Sequence, residues 1–114
     1  NIRTDAFYEC NSLEAIDIPS SVTLIEQYAF QNCRSLQEVN FESDSNLVTI
    51  GSSAFCNCSA IEEFTIPSTV TTIDSAAFAT TDSGTDVLPG ITIKCAIGSY
   101  AEQYAKSRGI NYAF

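Results

Sequence analysis

This chain of 114 residues contains no histidine, no tryptophan and no methionine. Without histidine, neither a Ser-His-Asp triad nor a Cys-His pair can be assembled from these residues. The five glycines are isolated from one another, so no glycine-rich loop is present to bind phosphate. The sequence therefore predicts that the chain is not an enzyme.

Positive charge is also scarce, with five basic residues against 14 acidic ones and a net charge of −9. Nucleic acid is a poor partner for such a chain, because phosphate binding needs a basic surface. No apolar run approaches the roughly 18 residues that span a bilayer, so no membrane insertion is expected. Two interpretations of the acidity stay open: it keeps a repeat protein soluble, or it serves a basic or cation-mediated partner.

The usual ligands of a bound metal are missing as well. There is no C-x-x-C pair, and Cys56-Asn57-Cys58 is the one close pair of cysteines, so neither a zinc site nor a cofactor is expected. Two loops offer weak calcium candidates, Glu42 with Asp44 and Asn46, and Asp82 with Asp86. The first loop lacks the glycine that lets such a loop turn, and the preferred interpretation of both is a solvated loop.

What the chain has is one unit repeated about four times. The dipeptide Ala-Phe begins at residues 6, 29, 54 and 77, at spacings of 23, 25 and 23 residues. In phase with it, an apolar-x-x-apolar-x-apolar pattern opens at Leu13, Leu36, Ile61 and Leu88. Such a period predicts a solenoid, in which each coil buries its apolar side against its neighbours. Residues 1–94 are interpreted as about four coils, truncated at the N-terminus, and residues 95–114 as a capping segment.

Each part of the unit A-F-x-x-C-x-x-L-x-x-I-x-I-P-x-x-V-T-x-I has a structural interpretation. The leucine and the two isoleucines predict a short strand with apolar side chains turned inward, and stacked strands form a parallel sheet. In the fourth coil the corresponding residues are Leu88, Ile91 and Ile93. Proline ends the strand because it has no ladder donor, and the next apolar pair predicts a second extended wall. The Ala-Phe segment is expected to form a short helical turn with phenylalanine in the core.

Two coils depart from the pattern, and the chain ends differently. Coil two replaces the proline with the polar run 42–46, which is expected to bulge, and coil four carries extra residues within 80–86. From Gly98 to Gly109 the sequence predicts a helix, since Ser99 and Glu102 have the spacing of a capping box. Ile110 and Tyr112 are expected to add a last strand.

The run A-F-x-x-C-x-x-L-x-x-I-x-I-P-x-x-V-T-x-I resembles the BspA-like leucine-rich repeat, which occurs in surface proteins of bacteria and of some mucosal protozoa. The resemblance covers about residues 6–94, and residues 91–112 resemble the ending that follows such arrays. It implies a right-handed α/β leucine-rich-repeat solenoid with short parallel strands, short helical turns and a C-terminal helical cap. It also implies a place at the cell surface or outside the cell, and adhesion to host matrix proteins such as fibronectin and fibrinogen.

From this resemblance we expect an extracellular or cell-surface protein-binding module of the adhesion type, a monomer whose partner is a host matrix or surface protein. A structural spacer that presents another domain is the alternative. In such solenoids the outward strand positions form a continuous face, on which five of twelve residues here are acidic and none is basic. The candidate partner-binding residues are Glu14, Asp17, Gln37, Glu38, Asn40, Glu62, Glu63 and Thr65.

Three of the five cysteines, Cys10, Cys33 and Cys58, fall on one position of the repeat. They are predicted to stack as a ladder of buried free thiols, because parallel side chains in register rarely meet the torsion of a disulfide. Cys56 lies outside this ladder and is expected to be more exposed. Whether Cys56 or Cys95 pairs is left open, although the odd number leaves at least one free thiol.

Overall fold

The computed structural model describes residues 1–81 and 86–114 and shows a parallel-strand solenoid of about four coils. The predicted solenoid with a C-terminal helix is confirmed. Its elements in chain order are β1 (Ala15–Ile18), β2 (Leu24–Ile25), β3 (Glu38–Phe41), β4 (Thr49–Ile50), β5 (Glu63–Thr65), β6 (Thr72–Ile73), β7 (Thr92–Lys94), α1 (Tyr100–Arg108) and β8 (Asn111–Ala113).

The first wall of the solenoid consists of β1, β3, β5, β7 and β8, whose pairings are parallel. Alternate side chains point to opposite faces of a strand, so one residue in two enters the core. Val39, Phe64 and Ile93 are buried in this way, between exposed neighbours on β3 and β5. The predicted last strand is present as β8, in which Tyr112 pairs with Ile93.

The opposite wall is the continuous parallel sheet β2–β4–β6, in which Ile25, Ile50 and Ile73 are buried. Its edge at β6 is covered by α1, because the Tyr100 hydroxyl accepts a hydrogen bond from the Ile73 amide at 3.3 Å. The Tyr104 hydroxyl donates to the Asp74 carbonyl at 3.2 Å. Burial raises the pKa of Tyr104 to about 12, so this hydroxyl keeps its proton at neutral pH.

The third wall consists of the Ala-Phe segments, which form successive turns where a short helical turn was expected. Tyr28 and Asn32 bracket the second segment with φ angles of 61° and 63°. Left-handed residues stop a right-handed helix from propagating, so each turn ends there. The freed backbone groups bond between coils: the Phe30 amide donates to the Ala54 carbonyl at 2.8 Å and the Asn32 amide donates to the Cys56 carbonyl at 2.9 Å.

The four phenylalanines of these segments point inward, as predicted, and stack along the solenoid axis. Successive ring centroids lie 4.9, 5.0 and 5.6 Å apart, with interplanar angles of 7° or less. Phe30, Phe55 and Phe78 are fully buried, and the tilted ring of Tyr104 in α1 contacts Phe78 beyond the stack, at 6.3 Å and an interplanar angle of 59°. Phe7 is only half-buried, because its outer face lies at the open side of the first coil.

The C-terminal helix begins and ends as the sequence predicts. The Ser99 hydroxyl accepts from the Glu102 amide at 3.2 Å, and the Glu102 carboxylate accepts from the Gly98 amide at 2.7 Å. Gly109 ends the helix in the left-handed region at φ 70°, which glycine tolerates without steric cost. Ala101, Tyr104 and Ala105 form the buried face that closes the last coil.

One expectation for the first wall is wrong, because its strands form two sheets instead of one. Backbone hydrogen bonds join β1 to β3, and β5 to β7 and β8, whereas none joins β3 to β5. We call the junction between β3 and β5 the seam. The polar run 42–46 of coil two forms a turn in which the Ser45 amide donates to the Glu42 carbonyl at 3.0 Å. The Glu42 side chain serves the neighbouring coil, because it accepts from the Ser20 amide at 2.7 Å.

The register predicted for the fourth coil is also wrong, by two residues. Phe64 pairs with Ile93, not with Ile91, and Thr65 pairs with Lys94. The physical reason is the longer loop of this coil, which folds back so that Val87 bridges Ala79 in antiparallel fashion. The strand therefore starts later than the repeat spacing predicts. Leu88 and Ile91 are still buried, whereas Pro89 and Gly90 lie in the turn before β7.

Candidate functional site

The candidate site is the solvent side of the first wall, which we call the strand face. It is defined by the eight residues predicted from the sequence, and all eight are exposed. They come from the first three coils: three lie immediately before β1, β3 and β5, and the other five lie within these strands. The strand face carries these residues: Glu14, Asp17, Gln37, Glu38, Asn40, Glu62, Glu63 and Thr65.

The parallel register brings part of this set into contact. Asp17 is the register partner of Asn40, and the Asn40 side-chain amide donates to the Asp17 carboxylate at 3.2 Å. The neutral Asn40 amide thus lies beside the Asp17 carboxylate. An acidic side chain at the position of Asn40 would repel that carboxylate. Glu38 is the register partner of Ala15, so no charged residue lies directly opposite it on β1.

Three of the five carboxylates of the strand face border the seam, which opens into a cleft. The cleft has a volume of about 560 Å³ and is lined by residues of both sheets: Gln37, Glu38, Val39, Asn40, Ala60, Glu62, Glu63 and Thr65. Six of the eight strand-face residues border it, and three of these are carboxylates. The strand face is therefore an acidic concavity, where charges of one sign add to attract a basic group from solution.

One base lies on the strand face, contrary to the expectation that all five lie elsewhere. The two-residue change of register places Lys94 beside Thr65, in the row that starts with Asp17 and Asn40. Lys94 is half-buried and stands at the C-terminal end of that row. A base thus follows the strand-face residues along the solenoid, and the repeat spacing alone hid this because the loop of coil four displaces the strand.

The cysteines are arranged partly as predicted. Cys33 and Cys58 are fully buried, and their thiols donate to the carbonyls of Phe7 and Phe30 at 2.9 and 3.1 Å. Contact with Cys33, together with burial, raises the pKa of Cys58 above that of a free thiol. Cys10 is half-buried because it occupies the same position on the open side of the first coil.

Cys56 is buried, with 1% of its surface exposed, so the prediction of an exposed thiol is wrong. The reason is that its position in the repeat lies between stacked turns. Gln31 and Ala79, at the same position of neighbouring coils, are buried as well. Tyr8 is 44% exposed there because it belongs to the first coil, and a comparison of sequences alone does not reveal this difference.

We expect Cys10 to be the first cysteine to react with iodoacetamide in the native protein. It is half-buried, whereas the other four thiols are buried and exchange with the reagent only after local opening. Time-resolved mass spectrometry of labelled peptides measures the order, and Cys10→Ser should remove the fast phase. Equal labelling rates for Cys10 and Cys56 would contradict the stacking of the turns.

In the described parts of the chain, 1–81 and 86–114, no cluster of three cysteines or acids is arranged to hold a metal ion. In the first of the two candidate calcium loops, the side chains of Glu42 and Asn46 bind the backbone of Ser20. The Asn46 side chain donates to the Ser20 carbonyl at 3.0 Å. Asp82 lies outside the described residues. Within the same parts of the chain, every helix is too short or too polar to cross a bilayer.

Glu102 is the acid whose ionisation is tied to the fold. The hydrogen bond from Lys106, at 2.8 Å, and that from the Gly98 amide hold the pKa of its carboxyl below the usual range. A lowered pKa means that the charged form stabilises the folded state at neutral pH and that this contribution is lost as pH falls through the folded pKa.

We therefore expect Glu102→Gln to lower the melting temperature at pH 7. The difference from wild type should fade below about pH 4, where the native carboxyl takes up its proton. Thermal melts followed by circular dichroism at both pH values measure this. The matched control is Glu9→Gln, an exposed position, which should melt like wild type at both. If the melting temperature of Glu102→Gln lies below that of wild type by the same amount at both pH values, the charge of Glu102 is not the cause.

Comparison with known proteins shows what the chain is similar to. A family model described as a BspA type leucine-rich repeat region matches residues 1–107, in six copies. No match is found among curated protein sequences. A leucine-rich repeat protein from Bacteroides capillosus has a similar crystal structure, with a TM-score of 0.65 and 30% identity over 82% of this chain. A leucine-rich repeat protein of T. pallidum gives a TM-score of 0.54 and 25% identity over 80% of this chain. The matches span 60% and 50% of those two chains.

Proposed function

Because the chain belongs to the BspA-type leucine-rich repeat family, we propose that it is a protein-binding module whose strand face contacts a protein with a basic surface. One observation carries the proposal: five exposed carboxylates from three successive coils lie on one face, and three of them border one concavity. Six of the eight strand-face residues border this concavity, and none of them is basic, so the carboxylates among them favour the approach of a basic partner. The family is typically surface-associated in bacteria, which supports an extracellular or cell-surface place for this module and an adhesive role.

The strand face favours fast association more than tight binding. None of its eight residues is a tryptophan, tyrosine or arginine, the side chains that most often anchor tight protein interfaces. Exposed charges act mainly on the rate of encounter. A single module is therefore expected to bind weakly, and strength would come from several modules that engage the same partner.

The absence of aromatic anchors on the strand face also favours a second function, that of a spacer without a ligand of its own. In that case the carboxylates only keep the surface hydrated and soluble. The two functions differ in one measurable respect, because a spacer is indifferent to charge reversal on the strand face.

We expect Glu38→Lys with Glu63→Lys to slow association with a matrix protein by roughly tenfold at low ionic strength, since steering by exposed charges is lost. The difference should shrink at physiological salt, where charges are screened within about 8–10 Å. Surface plasmon resonance with immobilised fibronectin and fibrinogen measures both rates. Denaturation curves verify that the variant is folded.

The matched control is Asp44→Lys with Asp86→Lys, which makes the same change of net charge at exposed positions in two loops off the strand face. It should associate like wild type. If the loop variant loses binding and the strand-face variant keeps it, the binding site lies on the loops. If neither matrix protein binds wild type, the spacer is favoured.

A further inference from the structure

The seam interrupts the hydrogen-bonded ladder in the middle of the first wall. In a parallel ladder, alternate residues direct both their N–H and C=O groups to the same side. The Glu42 amide donates to the Ile18 carbonyl at 3.4 Å, so the even-numbered residues of β3 face β1. It follows that the backbone groups of Val39 and Phe41 face β5. The Ile66 amide donates to the Lys94 carbonyl at 2.9 Å, so the even-numbered residues of β5 face β7. By the same alternation, the backbone groups of Glu63 and Thr65 face β3.

Two departures from the repeat, in Phe41 with Phe64 and in the length of coil two, meet at the seam, where the repeat's own proline in coil three also ends β5. Phe41 and Phe64 stand in edge-to-face contact with centroids 5.9 Å apart, where most other coils place an aliphatic residue. Pro67 follows β5 and cannot donate to β3. Coil two, which contains β3, is two residues longer than coils one and three. The position of β3 is therefore less constrained by the opposite wall.

The other two walls remain joined across the same junction. β4 pairs with β6, and the Phe30 amide donates to the Ala54 carbonyl at 2.8 Å. Opening or closing at the seam therefore changes the angle between coils two and three without breaking either of those walls. The strand face divides into two plates, β1–β3 and β5–β7–β8, joined along the opposite wall.

We propose that the seam is a joint at which the two plates change their relative angle, so that the strand face adapts its curvature. The lining of the cleft supports this. The repeat alignment sets Glu38 opposite Glu63, and like charges on the two sides oppose closure of the ladder. The proposal concerns the chain itself and stands whether or not a matrix protein binds to it.

Hydrogen exchange of backbone amides tests the joint in the wild-type protein. The amides of Val39, Phe41 and Thr65 should exchange at least about tenfold faster than those of Asn40 and Phe64 in the same strands, because only the latter face a bonded strand. Residual dipolar couplings of the two plates should require separate alignment magnitudes. Equal protection along β3 and β5, or one alignment that fits both plates, would overturn the proposal.

A substitution tests the cause. Phe41→Ile restores the aliphatic residue that coils one and three carry at this position, Ile18 and Ile66. We expect slower exchange at Val39 and Thr65, by about tenfold, as the ladder closes. The control is Phe114→Ile, which removes an exposed ring far from the seam in sequence and should leave both rates unchanged. Unchanged rates in Phe41→Ile would overturn the role given to the aromatic pair.

Discussion

Replacing Phe55 with alanine is expected to lower the free energy of unfolding by about 3–5 kcal/mol. The ring is fully buried and stacks between Phe30 and Phe78 at 5.0 and 5.6 Å, with a further edge contact to Phe64 at 4.8 Å. Loss of the ring leaves a cavity between two coils. Backbone hydrogen bonds hold these coils at a fixed spacing, so the surrounding residues cannot move in to fill the cavity. Urea denaturation followed by circular dichroism measures the change.

Phe7→Ala is the matched control, because Phe7 occupies the same repeat position but is half-buried. It stacks with only one other ring, Phe30. Its substitution should cost clearly less than that of Phe55. Equal losses at the two positions would contradict a stack whose energy comes from burial between coils.

Gly51→Ala is expected to destabilise the protein by about 1–3 kcal/mol through overpacking. A β-carbon at Gly51 would lie 2.8 Å from the Gln27 nitrogen and 3.0 Å from the Ile25 carbonyl oxygen, both backbone atoms of the preceding coil. The Gly51 amide also donates to that carbonyl at 2.8 Å, so the added methyl group would force β2 and β4 apart. Elsewhere a glycine-to-alanine change commonly stabilises by restricting the unfolded chain.

Ser52→Ala is the control for Gly51→Ala, because it changes the adjacent, half-buried residue and adds no atom to the contact between coils. Its free energy of unfolding should lie within about 0.5 kcal/mol of wild type. Chemical denaturation of both variants makes the comparison. A Gly51→Ala protein as stable as wild type would show that the coils are less closely packed than described.

The repeat made much of this fold predictable. Once Ala-Phe is recognised as one position in four coils, the burial of Phe30, Phe55 and Phe78 follows, because a solenoid encloses the same position each time. The cap was predictable for another reason. Ser99, Glu102 and Gly109 act within a few residues of one another, so their geometry does not depend on the rest of the chain.

The errors arose where a position depends on contacts between coils. Cys56 was expected to be exposed, although stacked turns cover it. Lys94 was placed off the strand face, because the longer loop of coil four delays β7 by two residues. The seam depends on the spacing between Phe41 and Phe64, which lie in different coils. The missing proline of coil two indicates only a change of loop in the sequence, and the aromatic Phe41 at an otherwise aliphatic position is the signal that the repeat pattern does not interpret.

All eight residues of the strand face are exposed, and their role in binding stays a prediction. The concavity between β3 and β5 was not foreseen, because it results from the seam. The sequence therefore predicted where the carboxylates lie but not that three of them border one cleft. This cleft is the feature that makes the strand face a specific candidate rather than a general acidic surface.

Mapping the interface at residue level tests the central claim most directly. The measurement is a titration of the isotope-labelled chain with fibronectin and with fibrinogen, followed by amide signal changes at low ionic strength. The account predicts that perturbations concentrate at Glu38, Asn40 and Glu63 and diminish as salt is added. Perturbations confined to the polar run 42–46 or to α1, with the strand-face signals unchanged, would contradict the proposed binding site.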